Sequence, residues 1–224
     1  MADYHIGIDV GLSGAICVVA QFNGHWTITF YDLKPNRKDW LPSRLDLGHL
    51  KACLKDIAYM ISYEDNVTIA LENPTGIVRG KGNFKASTTQ AESCGEVIAA
   101  ISYTHWPNSD NIQFCKLHPT QWIKALDVAP GKENRIDQGK RIFRWFVNGE
   151  LYQQFCEQIV REYPRKPPEE SHDRVDAALI ALAGRYKWTF ENVEEEGRIA
   201  NERLNSKELL LKRRKERAKK KRSK

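Results

Sequence analysis

Two carboxylates three residues apart, Asp173 and Asp176, stand at the head of an otherwise apolar stretch that runs to Ala183. Read as a buried helix with Ser171 as its N-cap, that stretch carries both acids on one face, about one turn apart. Two further acids occupy comparable places. Asp9 lies near the end of an alternating apolar run, and Glu72 closes a β-branched run stopped by Pro74. Each has small or apolar neighbours, beside which an unpaired charge is costly to bury. A divalent cation holds such acids together, and hard carboxylate oxygens favour Mg²⁺ or Mn²⁺. Two such ions about 4 Å apart clamp the attacking water and the leaving oxygen in phosphodiester hydrolysis, so no separate nucleophile is needed. The chain has no Ser-His-Asp or Cys-His signature. His172 stands next to the paired acids, either to assist proton transfer or in a structural role. A plainer reading of Asp173 and Asp176 is that they suit a helix N-terminus, with Arg174 as salt partner.

The elements that must position these acids follow from periodicity. Residues 4–10 alternate, with Ile6, Ile8 and Val10 on one face and Gly7 and Asp9 on the other, which predicts a strand. Residues 15–20 return as a buried strand, and Asn23-Gly24 turns the chain into a third at 25–31. Asp46 can cap a helix whose Leu47, Leu50, Leu54, Ile57 and Ile61 share a face. The strand at 67–71 then lies parallel to the first by a right-handed crossover, which puts Asp9 and Glu72 at the same ends of neighbouring strands. A Gly-rich loop at 75–86 precedes a helix capped at Ser87 or Thr89 and ending near Tyr103. A fifth strand is expected at 111–117, a short helix bearing Trp122, and helices at 140–146 and 150–163. A linker at 164–170 leads to the helix of Asp173 and Asp176. This order is that of an α/β, ribonuclease H-like fold: a mixed five-stranded sheet, three antiparallel strands plus two parallel, with helices on both faces.

The 224 residues suffice for one sizeable domain and an appendage, expected as a nuclease domain at 1–190 and a charged, basic helical or flexible tail at 191–224. The overall charge of +6 conceals an asymmetry. Residues 207–224 hold eleven Lys or Arg against two Glu, a net +9, which leaves about −3 for the remainder. Such a run is a solvated tail, an import signal or a nucleic-acid arm. Five scattered cysteines without a Cys-x-x-Cys pair read as reduced core residues. No stretch approaches the roughly 20 apolar residues of a membrane span, and no export signal is expected.

Residues 7–15 (Gly-Ile-Asp-Val-Gly-Leu-Ser-Gly-Ala), 71–74 (Leu-Glu-Asn-Pro) and 172–177 (His-Asp-Arg-Val-Asp-Ala) together resemble the three acidic motifs of RuvC-type Holliday junction resolvases, in a divergent or phage-like form. The resemblance spans about residues 4–186. It implies two Mg²⁺ ions (Mn²⁺ able to substitute), a homodimer, and paired nicks across a four-way DNA junction in recombination and repair. By position it gives Asp9, Glu72, Asp173 and Asp176 the family's metal-binding, catalytic roles. Val10 departs from the family's usual proline after the first acid, and residues 145–165 and the tail look like additions. For DNA contact the candidates are Arg79, Lys81 and Lys85 after Glu72, together with Lys132, Arg135, Lys140, Arg141 and Arg144, which would neutralise phosphates. Phe84 can stack on a base as a wedge or pack in the core. The helix from Gln90 could form the two-fold interface or merely cover the sheet. A DNA-acting enzyme of this kind belongs in the cytoplasm, nucleoid-associated, in a bacterial or phage setting, and in a nucleus or organelle in a eukaryote. Rival readings are a related nuclease or transposase-like enzyme on other branched DNA, an ATP-dependent sugar kinase or actin-like ATPase, and a non-catalytic DNA-binding protein. The kinase reading lacks a second Asp-Gly loop and the chain length for two domains. The last leaves four acids unexplained, since acids repel phosphate unless a metal intervenes.

Overall fold

Alternation along the first strand decides which side of the sheet each helix covers. In the computed structural model, which describes residues 1–36, 45–72, 84–107, 111–119, 122–123, 126, 128, 135–163 and 166–189, β1 spans Asp3–Asp9. It pairs antiparallel with β2 (Ala15–Phe22), which pairs antiparallel with β3 (His25–Asp32). On its other side β1 lies parallel to β4 (Asn66–Glu72), and β4 lies parallel to β5 (Ile112–Leu117). The strand order is β3-β2-β1-β4-β5. Three antiparallel and two parallel strands in this order are the ribonuclease H-like sheet.

Ile6, Ile8 and Val10 join Ile16, Val18, Ile69 and Leu71 in a core beneath two helices, α1 (Leu47–Met60) and α2 (Phe84–Tyr103). The intervening positions Ala15, Cys17, Val19 and Ala70 face the opposite core. There they meet α3 (Arg135–Phe146), α4 (Gly149–Gln158) and α5 (His172–Thr189). Asp46 caps α1 by accepting from the His49 amide at 3.0 Å, the role its residue type suggests. Phe143 of α3 stacks on Phe155 of α4, with ring centroids 4.0 Å apart.

The closest approach in this second layer is between α5 and β1. A Cβ at Gly7 would stand 2.1 Å from the Ala177 carbonyl oxygen and 2.3 Å from the Ala181 nitrogen. Only glycine leaves room for a helix backbone there, and the alanines along 177–183 keep that helix face flat. One turn before this crossing lie Asp173 and Asp176; two residues after it lies Asp9.

Three boundaries differ from the sequence reading. The helix expected at 150–163 ends at Gln158. The expected linker is a two-stranded antiparallel hairpin, β6 (Val160–Tyr163) with β7 (Lys166–Glu170). Ile159 and Val160 are β-branched, and Pro167 and Pro168 fall where the pairing register shifts between Arg161 and Tyr163, so the ladder does not need an amide from each. The expected helix at 140–146 begins at Arg135. Gly139 weakens the helical signal there, yet a Cβ at that place would stand 2.3 Å from Val175 Cγ1, so the glycine admits α5. Likewise α2 starts at Phe84, ahead of the capping boxes at Ser87 and Thr89.

Residues 1–186 form one compact unit and 187–224 a second, of which residues 187–189 are described. Among the described residues no helix is long and apolar enough to cross a membrane.

Candidate metal centre

Asp9 and Glu72 are the last residues of two parallel neighbours, β1 and β4. Ile8 registers with Leu71, so the next position on each strand is one of the acids. Both side chains leave the sheet on the face that α5 covers, and α5 contributes Asp173 and Asp176 from its first two turns. Burial pushes the Asp9 carboxyl well above the usual carboxylate range, and the charges of Glu72, Asp176 and Asp173 push it further. The Asp9 carboxyl lies within side-chain hydrogen-bonding reach of Glu72, which also raises it. Asp9 thus keeps some exposure while feeling three other acids from two elements at once.

Neighbouring groups hold the other acids. Trp122, buried just beyond β5, donates its indole N–H to Glu72 Oε1 at 3.4 Å. Arg135 Nε stands 3.5 Å from Asp176 Oδ1, and Arg161 Nη1 stands 3.5 Å from Asp173 Oδ2. Among the described residues, no three His, Cys, Asp or Glu side chains are already spaced as ligands around one point. The four acids converge within electrostatic reach, with two of them turned toward arginines. A hard divalent cation fits this donor set: only oxygens are offered, and added positive charge relieves the repulsion that raises Asp9.

The helix bearing Asp173 and Asp176 is fixed by a residue that the sequence alone did not single out. Asp32 ends β3 on the same rung as Asp9, with Ala15 between them. Arg174 grips it by two bonds, Nε to Oδ1 and Nη2 to Oδ2, both 2.8 Å. Arg161 adds a third, from Nη2 to Oδ1 at 2.8 Å. Burial alone would raise Asp32, but these hydrogen bonds outweigh it and hold the carboxyl below its ordinary range. Arg174 also donates to the carbonyls of Gln158 and Val160, which ties α5 to the hairpin. The salt partner of Arg174 is therefore Asp32, not the acids beside it in sequence.

The other candidates divide into three groups. His172 is the first residue of α5 and is exposed. Arg141 and Arg144 are exposed on α3, whereas Lys140 is bound by Glu170 of β7 and Arg135 is 6 % exposed beside Asp176, not presented to solvent. Arg79, Lys81, Lys132 and the tail at 190–224 lie outside the described residues, as do the side chains of Phe84 and Lys85.

No family model matches the chain, and no curated protein does. Solved structures do. Its structural neighbours are RuvC-type Holliday junction resolvases. T. thermophilus RuvC in complex with Holliday junction substrate is 15% identical, with a TM-score of 0.46, covering 85% of this chain and 96% of its own. Thermus thermophilus RuvC alone is 17% identical at a TM-score of 0.45, covering 84% and 98%. The yeast mitochondrial Holliday junction resolvase Ydc2 is 16% identical at 0.41, covering 80% and 75%.

Proposed function

We propose that this chain is a divalent-cation-dependent endodeoxyribonuclease that resolves four-way DNA junctions by phosphodiester hydrolysis, acting as a homodimer that makes paired nicks. The observation that carries the reading is the convergence of Asp9, Glu72, Asp173 and Asp176, with Asp9 driven toward its neutral form by burial and by the other three. These four would hold two Mg²⁺ ions, or Mn²⁺ in their place. Such ions would polarise the scissile phosphate, lower the pKa of the attacking water and steady the leaving oxygen.

The chain's own residues do the positioning. Trp122 fixes the Glu72 carboxylate, while Arg174 and Arg161 on Asp32 fix the start of α5, and with it Asp173. Asp9 must surrender its proton to act as a ligand, so apparent divalent affinity should rise with pH. Arg141 and Arg144, exposed on α3, would meet DNA phosphates, together with the basic tail of a second domain at 191–224. His172 is a candidate for proton transfer at the leaving oxygen. An enzyme acting on DNA would work in the cytoplasm, nucleoid-associated, in a bacterial or phage setting.

The deciding assay compares a synthetic four-way junction with linear duplex, flap and single strand in Mg²⁺ and in EDTA. Symmetric Mg²⁺-dependent nicking of the junction is expected. Preferential cutting of flaps would indicate a related nuclease on other branched DNA, and ATP turnover without cutting would favour a kinase-like enzyme.

A further inference from the structure

Arg135 opens α3 at 6 % exposure, a depth at which a guanidinium needs a reason to be. Its Nε is 3.5 Å from Asp176 Oδ1, an ion pair without a closed hydrogen bond, since charge-assisted N–H···O contacts close to about 2.7–2.9 Å. Its guanidinium carbon lies over the Trp122 ring, 5.1 Å from the centroid, and that indole donates to Glu72. Its buried Nε and Nη1 have no hydrogen-bond partner among the described residues. A guanidinium placed for packing or folding stability would have these donors met by carbonyls, as the Nη1 of Arg174 is.

We propose that Arg135 is a built-in competitor of the divalent cation for Asp176, a counter-ion that the protein supplies to its own acid cluster and that cation binding must displace electrostatically. The proposal rests on the metal reading of the four acids. Two cations directed at one carboxylate repel each other, so each weakens the other's hold on it by the same free energy. The cation–π contact with Trp122 keeps the guanidinium close by without locking it to the acid. Arg135 thereby lowers the cost of gathering four carboxylates before cations bind, and it sets how much divalent cation the site requires.

The test is Mn²⁺ binding to the full chain without DNA, by calorimetry, in wild type, R135Q and R135K. Removing the charge should tighten Mn²⁺ binding by roughly tenfold, while R135K, which keeps the charge, should stay near wild type. Equal or weaker binding by R135Q would overturn the proposal and leave the metal site standing. No Mn²⁺ binding by wild type would overturn both. Wild-type protein gives a second readout should R135Q fail to fold. The Arg135 Nε–H resonance, assigned by its loss in R135K, should shift on Mg²⁺ addition and saturate as the site fills. A resonance indifferent to Mg²⁺ overturns the proposal.

Discussion

Asp9 and Asp32 end two strands of one sheet on a single rung, about 10 Å apart across β2, and their environments are opposite. Asp32 receives three hydrogen bonds from two arginines and ionises more readily than an ordinary carboxyl. Asp9 is surrounded by acids and ionises far less readily. The same residue type at the same level of the sheet thus serves as a strut in one place and as a poised ligand in the other. What separates them is deeper burial at Asp9 and the charges their neighbours deliver: α5 brings Arg174 to Asp32 beside Arg161, and two carboxylates to Asp9 beside Glu72.

The sharpest break in that comparison is Asp9→Asn. Cleavage of a four-way junction in Mg²⁺ should fall roughly a thousandfold or more, measured as initial rates, while junction binding persists. In EDTA the same variant should melt higher, by about 1–2 kcal/mol, because a buried like-charge repulsion is gone. A destabilised Asp9→Asn would show that Asp9 is structural. Next in size is Gly7→Ala, whose added methyl meets the α5 backbone. It should cost about 3 kcal/mol in denaturant unfolding, and it should reduce cleavage by moving Asp173 and Asp176 away from Asp9. Asp32→Asn should lose about 2–3 kcal/mol, opposite in sign to Asp9→Asn, and the double variant should be additive only if α5 stays in place.

Acid titration of stability separates the two acids by the pH range in which each acts. Asp32, with its folded pKa depressed, contributes stability above the ordinary carboxylate pKa of 3.8 and loses it as pH falls through and below that value. Asp9, with its folded pKa raised, carries a penalty above that pKa that is relieved as pH falls through it toward the ordinary 3.8. In EDTA, Asp32→Asn should flatten the acid limb of a stability–pH curve, and Asp9→Asn should flatten the neutral limb.

The smallest expected effect lies at the other end of β1. Burial and the nearby Arg185 push the His5 imidazole from 6.5 down to about 4. The unfolded chain therefore binds the proton first, and stability falls as pH drops from about 6.5 to about 4. His5→Gln should remove that slope from a urea-unfolding series, leaving the Asp9 and Asp32 contributions intact.

Much of the sheet was legible in the sequence because strand alternation is local. Ile6, Ile8 and Val10 against Gly7 and Asp9 assign both faces of β1, and the helix between β3 and β4 dictates a parallel crossover. The hairpin at 160–170 was not legible: Glu150 onward has helical spacing, and only the chain's return to Ser171, whose amide donates to the Ile159 carbonyl at 2.9 Å, reveals a ribbon. Asp32 and Arg161 escaped notice, and Trp122 was read only as part of a short helix, for a related reason. An acid at a strand end is unremarkable until an arginine 142 residues later closes on it.

Residue types and periodicity alone put four carboxylates on strand ends and a helix start, with glycine on the face of Asp9 and small residues along the helix. Only the tertiary structure decided which cations answer which acids. Ion pairing depends on three-dimensional distance and burial, and neither is written in the spacing of residues along the chain.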